Sequence, residues 1–196
     1  MAKADSGPES EETASFEGDD PVPVGVKLGS TRTVVSLNEG GNYRTHRSLT
    51  CLATYADPVT GAERALYGEE AATEYPDRAE FMLRSGLPED EERAELAARF
   101  FERFVEANEV PAESAVVYAI PTIDNERGLA NLQAVIEGSR VGEEVVRSYP
   151  ESLCGAIPVL GDHLDAIDDI FVAVNLGSTN LEACAYRHVE QLSPFA

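Results

Sequence analysis

Lysine and cysteine are scarce in this 196-residue chain, tryptophan is absent, and long apolar runs are missing. No apolar run approaches the ~20 residues of a membrane-spanning helix. The N-terminus is acidic and has no apolar signal core. A soluble, intracellular protein without a transmembrane segment is therefore expected. The cysteines are three, Cys51, Cys154 and Cys184, far apart and each among apolar neighbours. An odd number with no C-x-x-C pair argues against a disulfide framework or a structural zinc site, and the three read as small buried hydrophobes. His46, His163 and His188 form no ligand-spaced cluster, so no metal site is expected from protein residues alone. Bases are few, 15 against 36 acids, giving a net charge of −21. A nucleic-acid groove needs a local excess of Lys and Arg, so nucleic acid is not expected as a partner.

Acid and apolar side chains are what the sequence does have. At 43% hydrophobic it carries enough apolar material for one packed domain. Residues 1–22 hold seven acids and one lysine, which leaves 29 acids against 14 bases for the rest. The acidity is thus spread over the folding part. Only Lys3 and Lys27 are lysine, and thirteen bases are arginine. An acid-coated, lysine-poor surface self-repels in dilute buffer and is screened at molar salt, where the Debye length is ~3 Å. A high-salt cytoplasm is the expected setting. A merely acidic mesophilic protein would account for the total charge but not for the missing lysines.

Residues 1–22 are polar, acidic and rich in Ser, Gly and Pro, the composition of a disordered tail. Order is expected from Val22, with Val22–Val26 and Arg32–Leu37 as two β-branched runs flanking a Gly-Ser-Thr turn. A second turn at Asn38–Asn42 leads to a third strand expected around Ser48–Thr54. A short strand at Ala65–Tyr67 ends at Gly68, where a short helix begins. A long helix is predicted from Pro88-Glu89-Asp90 to about Ala107, with acids in its first turn and Ala97, Phe100, Phe101, Phe104 and Val105 on one face. Ser114–Ile120 has the pattern of a buried strand. Asp124 is placed to cap a helix carrying Leu129, Leu132 and Val135 or Ile136. A strand over Val141–Arg147, a helix opened by Pro150 in its first turn, an acidic linker over 161–169 and a closing hairpin over Ile170–Tyr186 complete an α/β chain.

One internal repeat stands out. Val-x-Leu-Gly-Ser-Thr occurs at Val26–Thr31 and again at Val174–Thr179, each time at the turn of an apolar hairpin. Glycine permits positive φ and close approach of a ligand, and hydroxyls with exposed turn N–H groups form a small anion-binding nest. Two such turns facing each other would clamp a chain of phosphates between them. The same residues also turn hairpins for conformational reasons alone, so the repeat has a purely structural reading too.

In order and spacing these segments resemble the superfamily of actin, the sugar kinases and the heat-shock-chaperone ATPases. VGVKLGSTRTVVSL and VAVNLGSTNLEACAY resemble its first and second phosphate hairpins. YGEEAATEYPDRAEFMLRSGLPED is similar to the stretch after the third strand in the bacterial rod-shape actin homologues (MreB) and the chaperones. AVVYAIPTIDNERGLANLQAVIEGSR resembles their strand–Pro–helix segment, and PESLCGAI their connecting helix. The likeness runs over about residues 23–190 and is closest to the MreB-like and archaeal actin-like proteins.

The resemblance implies an actin-like (ribonuclease H-like) ATPase fold. Residues 1–22 would be the tail, and 23–160 domain I with a small inserted subdomain at about 55–108. Residues 161–196 would be a linker and the first hairpin of domain II, truncated, so that either a C-terminal half is missing or the hairpin docks elsewhere. It further implies ATP held by Lys27, Gly29, Ser30, Thr31, Asn175, Gly177, Ser178 and Thr179. Glu151 falls where the family orients the attacking water, although a carboxylate at a helix start is also favoured by the dipole alone. Two positions depart from the family: Lys27 and Asn175 stand where Asp is usual, removing carboxylates that hold magnesium through water. Hydrolysis is therefore expected to be weak or slow, and Lys27 either supplies charge near the phosphates or points to solvent. Polymerising relatives associate head to tail into open filaments, so a filament-forming cytoskeletal protein is the leading expectation. Two others accompany it: an actin-fold scaffold that has lost nucleotide, and half of a chaperone-type ATPase, for which no peptide-binding domain is visible.

Overall fold

The computed structural model of the chain describes residues 21–84, 86–122, 125–163 and 170–187. The expected tail up to residue 20, the expected cap residue Asp124 and the linker from 164 to 169 fall outside these described residues, and Val22, the tail's expected last residue, opens the first strand. The fold is built on a five-stranded sheet. Strands β1 (Val22–Leu28), β2 (Arg32–Glu39) and β3 (Asn42–Leu49) form an antiparallel meander. Two further strands, β6 (Ser114–Ile120) and β7 (Glu144–Pro150), extend it in parallel from β1, giving the order β3-β2-β1-β6-β7.

The period-2 alternation of these strands decides which side chains meet the core. Val24, Val26 and Leu28 of β1 are buried, as are Val35 and Leu37 of β2 and Val116 and Tyr118 of β6. They pack with the apolar faces of α2 (Glu91–Ala107) and α3 (Glu126–Glu137). On α2 the buried residues are the expected Ala97, Phe100, Phe101, Phe104 and Val105. Asp90 caps that helix by accepting from the Arg93 N–H at 2.8 Å. Around α1 (Gly68–Glu74) a second, smaller cluster of Cys51, Ala53 and Ala71 forms, with β4 (Leu52–Ala56) and β5 (Glu63–Tyr67) pairing as a separate two-stranded sheet.

Several boundaries differ from expectation. The segment 48–54 is not one strand. It breaks at Thr50-Cys51, where the Thr50 N–H donates to the Thr31 carbonyl at 2.8 Å and its hydroxyl meets that of Thr33 at 2.9 Å. These bonds turn the chain out of the main sheet. Asn125 caps α3, accepting from the Gly128 N–H at 2.9 Å. Strand β7 starts at Glu144 and not at Val141, because a tight turn, Gly142 N–H to Ser139 carbonyl at 2.9 Å, prolongs the end of α3. Pro150 does not open a helix. It pairs with Ile120 as the last residue of β7, and α4 (Glu151–His163) begins after it and absorbs the expected start of the linker at Gly161. The chain returns as β8 (Ile170–Leu176) and β9 (Leu181–Arg187), the expected closing hairpin.

Candidate functional site

The two copies of the repeated hexapeptide form equivalent turns. In the first, the Gly29 N–H donates to the Arg32 carbonyl at 3.2 Å, and in the second the Gly177 N–H donates to the Asn180 carbonyl at 2.9 Å. Neither glycine has a positive φ, so the conformational reason expected for them is corrected. The requirement is for space. A Cβ on Gly29 would lie 2.6 Å from the Arg32 carbonyl oxygen, and one on Gly177 would lie 2.5 Å from Asn180 Oδ1. The turns face each other closely enough for the Thr179 hydroxyl to donate to Ser30 Oγ at 3.0 Å.

Helix α4 joins the two hairpins from beneath. Alternation along β1 places Lys27 on the side opposite the buried Val26 and Leu28. Its Nζ lies 2.8 Å from Glu151 Oε2, at the first residue of α4. The same oxygen accepts from Asn175 Nδ2 of β8 at 2.9 Å. One carboxylate thus receives the two side chains, Lys27 and Asn175, that the resemblance marked as departures. Ser152 is buried, and its hydroxyl meets that of Tyr186 on β9 at 2.7 Å. Between the turns opens a cavity of about 490 Å³ whose lining includes Lys27, Gly29–Arg32, Glu151 and Gly177–Asn180. Asn175 is not part of that lining and is spent on Glu151.

The charge of the cavity is opposite to that of the chain. Its ionisable lining consists, among the described residues, of three cations, Lys27, Arg32 and Arg84, and one carboxylate, Glu151, in a protein of net charge −21. Arg32 also leans toward Glu69 at 3.7 Å, with both side chains exposed.

Comparison with known proteins gives the family and the fold. The profile of the Salactin family matches residues 21–196. Salactin of Halobacterium salinarum is 63% identical over 193 residues, 98% of this chain and 53% of that protein. The chain belongs to the Salactin family. It spans about half the length of the Salactin it matches. Among solved structures, a MamK double helical filament superposes with a TM-score of 0.62 at 18% identity, over 85% of this chain and 50% of that one. A non-polymerising MamK mutant bound to AMPPNP gives 0.54 at 16% identity, over 85% and 54%. The fold is therefore actin-like, as the order of motifs implied, and corresponds to the N-terminal half.

In this Salactin-family chain a magnesium ion, which the superfamily resemblance implies, does not fit the donors of the cleft. Glu151 is the one carboxylate among the described lining residues, and its Oε2 is already neutralised by an ammonium at 2.8 Å. Magnesium is held through carboxylates and substrate phosphates in near-octahedral geometry, and Lys27 puts a positive charge beside the one carboxylate.

Two residues of interest escaped the sequence reading. Arg84 reaches the cleft from the segment before α2, a contact that no local pattern announces. Glu182, opposite Asn175 in the β8–β9 register, is only 6% exposed, and its Oε2 has no partner among the described residues while Oε1 accepts from Asn180 Nδ2 at 2.9 Å. A lone acid in the apolar run LEACAY was the available signal. The cysteines divide: Cys51 is buried as expected, whereas Cys154 and Cys184 are only half-buried. Burial pushes the Cys154 thiol up, while hydrogen bonds with Ser152 and Thr122 hold Cys184 below the ordinary thiol value.

Proposed function

We propose that this chain is the N-terminal half of an actin-like cytoskeletal protein that binds ATP between the Gly29–Thr31 and Gly177–Thr179 turns and assembles into filaments. The observation that carries the reading is the cation-lined cleft between two matched turns in a strongly anionic protein. Chance placement of three of fifteen bases there, against one of thirty-six acids, runs counter to the composition. Ser30, Thr31, Ser178 and Thr179 would offer backbone N–H groups and hydroxyls to the phosphates, Gly29 and Gly177, whose N–H groups close the turns, would admit their close approach, and Lys27 would lie beside them. Glu151 would orient water, and slowly, because its carboxylate is engaged by Lys27 and Asn175. The two MamK neighbours, one in a double helical filament and one bound to AMPPNP, are in keeping with both parts of the reading.

In this reading residues 23–160 are domain I, with an inserted subdomain at about 55–108, and β8–β9 opens domain II. The outward face of that hairpin carries exposed Ile170, Val172, Val174, Leu176 and Leu181. Such a contiguous apolar face marks a contact surface, here for the remainder of domain II as found in the other half of a Salactin-length protein.

Sedimentation in molar KCl with ATP, with AMPPNP and without nucleotide tests the assignment, using the chain together with a Salactin-type C-terminal half. Nucleotide-dependent pelleting is expected. Nucleotide binding without pelleting would favour a soluble ATPase, and neither would favour a scaffold that has lost nucleotide.

A further inference from the structure

We propose that the counter-charge for polyphosphate in this cleft comes from the protein's own cations, chiefly Lys27 with Arg84, in place of a divalent metal. Glu151 holds Lys27 in position until phosphate arrives. The inference rests on the nucleotide reading above and deepens it.

Three observations converge. First, Lys27 is one of two lysines in the chain, and it stands at the floor of the first phosphate turn. A compact ammonium with three donors is a point charge suited to phosphate oxygens. Second, it is held without being hidden. Its side chain is 41% exposed while that of Glu151 is 12% exposed, so the carboxylate is the fixed partner and the ammonium faces the cleft. The Asn175 amide shares the same Glu151 oxygen and fixes it from the other hairpin. Third, the donor set that would hold magnesium is absent from the described lining of the cleft, because its single carboxylate is already paired.

An entering polyphosphate brings several negative charges against the one of Glu151 and draws the ammonium toward itself. Arg84, lining the same cavity, adds a second cation with a planar fork matched to phosphate. Because Lys27 is tethered and pre-oriented, its contribution needs no ion captured from solution. Binding then becomes independent of magnesium, and the Lys27–Glu151 contact is exchanged for a Lys27–phosphate contact when the site fills.

Calorimetric titration of the 196-residue chain in molar KCl with ATP, and separately with inorganic tripolyphosphate, tests this in EDTA and in MgCl2. For the native chain, affinities in the two conditions are expected within about threefold of each other. Lys27→Gln is expected to weaken binding in EDTA by about tenfold or more, the scale of a lost charged hydrogen bond. Lys27→Arg, which keeps the charge, should stay near the native value. Glu151→Gln should tighten binding in EDTA severalfold by freeing the ammonium, and an unchanged affinity there overturns its holding role. The double variant Lys27→Asp with Asn175→Asp should bind only with magnesium.

Native chain that binds ATP in MgCl2 but not in EDTA overturns this inference and leaves the nucleotide reading standing. Native chain that binds neither ligand in either condition overturns both. Circular dichroism of each variant separates lost affinity from lost fold. Should Lys27→Gln fail to fold, the native comparison in EDTA and MgCl2 still decides.

Discussion

At the scale of single residues, the two repeat glycines are the most exacting positions. Each closes its turn against a carbonyl or amide oxygen that a Cβ would approach to 2.6 Å or less. Gly29→Val and Gly177→Val are therefore expected to open the turns and abolish nucleotide binding, as read by titration with ATP. Native ATP affinity in both variants would show the repeat to be structural only. Cys51 makes a separate prediction. Burial, with Glu69 nearby, pushes its thiol from the ordinary 9.0 up to about 11. Above pH 9 the unfolded chain releases this proton and the folded one does not, so the folded state holds more protons and stability falls as pH rises toward 11. In native protein at pH ~8, a thiol reagent should label Cys184 before Cys51, with Cys51 reacting only on unfolding. Equal labelling rates for the two in native protein would contradict the assignment.

At the scale of elements, local pattern was a good guide wherever one face had to meet a core. Strand β6 has its expected limits, and helix α2 ends at the expected Ala107 but starts at Glu91, after the Pro88-Glu89-Asp90 run expected to open it, since helical spacing of Phe100, Phe101 and Phe104 and an uninterrupted β-branched run are local signals. The errors fall where a specific bond, across the fold or within a tight turn, overrides the apolar pattern. The β3–β4 break depends on Thr31 and Thr33, and the late start of β7 on the turn that follows α3. Phe101 is fully buried within the α2 face against the sheet. Phe101→Ala should cost about 3–5 kcal/mol of stability by leaving a cavity, measured by chemical denaturation in molar KCl. A loss below about 1 kcal/mol would mean that the α2 face is not packed as described.

For the whole molecule, the excess of negative charge governs how the fold responds to its solvent. Residues 23–196 carry 29 acids against 14 bases, and few of these are paired at short distance on the described surface. Self-repulsion of this size is long-ranged in dilute buffer and collapses when the Debye length shrinks to ~3 Å. The thermal unfolding midpoint should therefore climb steeply between low and molar KCl. A midpoint flat over that range would remove the high-salt expectation. The Halobacterium relative is in keeping with that setting.

Composition, periodicity and the order of motifs were enough to determine an α/β chain of actin-like type, its amphipathic helices and its two matched turns, because each of these is written in neighbouring residues. They could also single out Lys27, Glu151 and Asn175, as departures and matches within short motifs. Only the tertiary structure decided that Lys27 and Asn175 converge on one oxygen of Glu151, that Arg84 lines the same cleft and that Ser30 touches Thr179 across it. These contacts join residues as much as 149 positions apart. The physical reason is that charge and hydrogen-bond complementarity act through space, whereas the patterns legible in a sequence act along the chain.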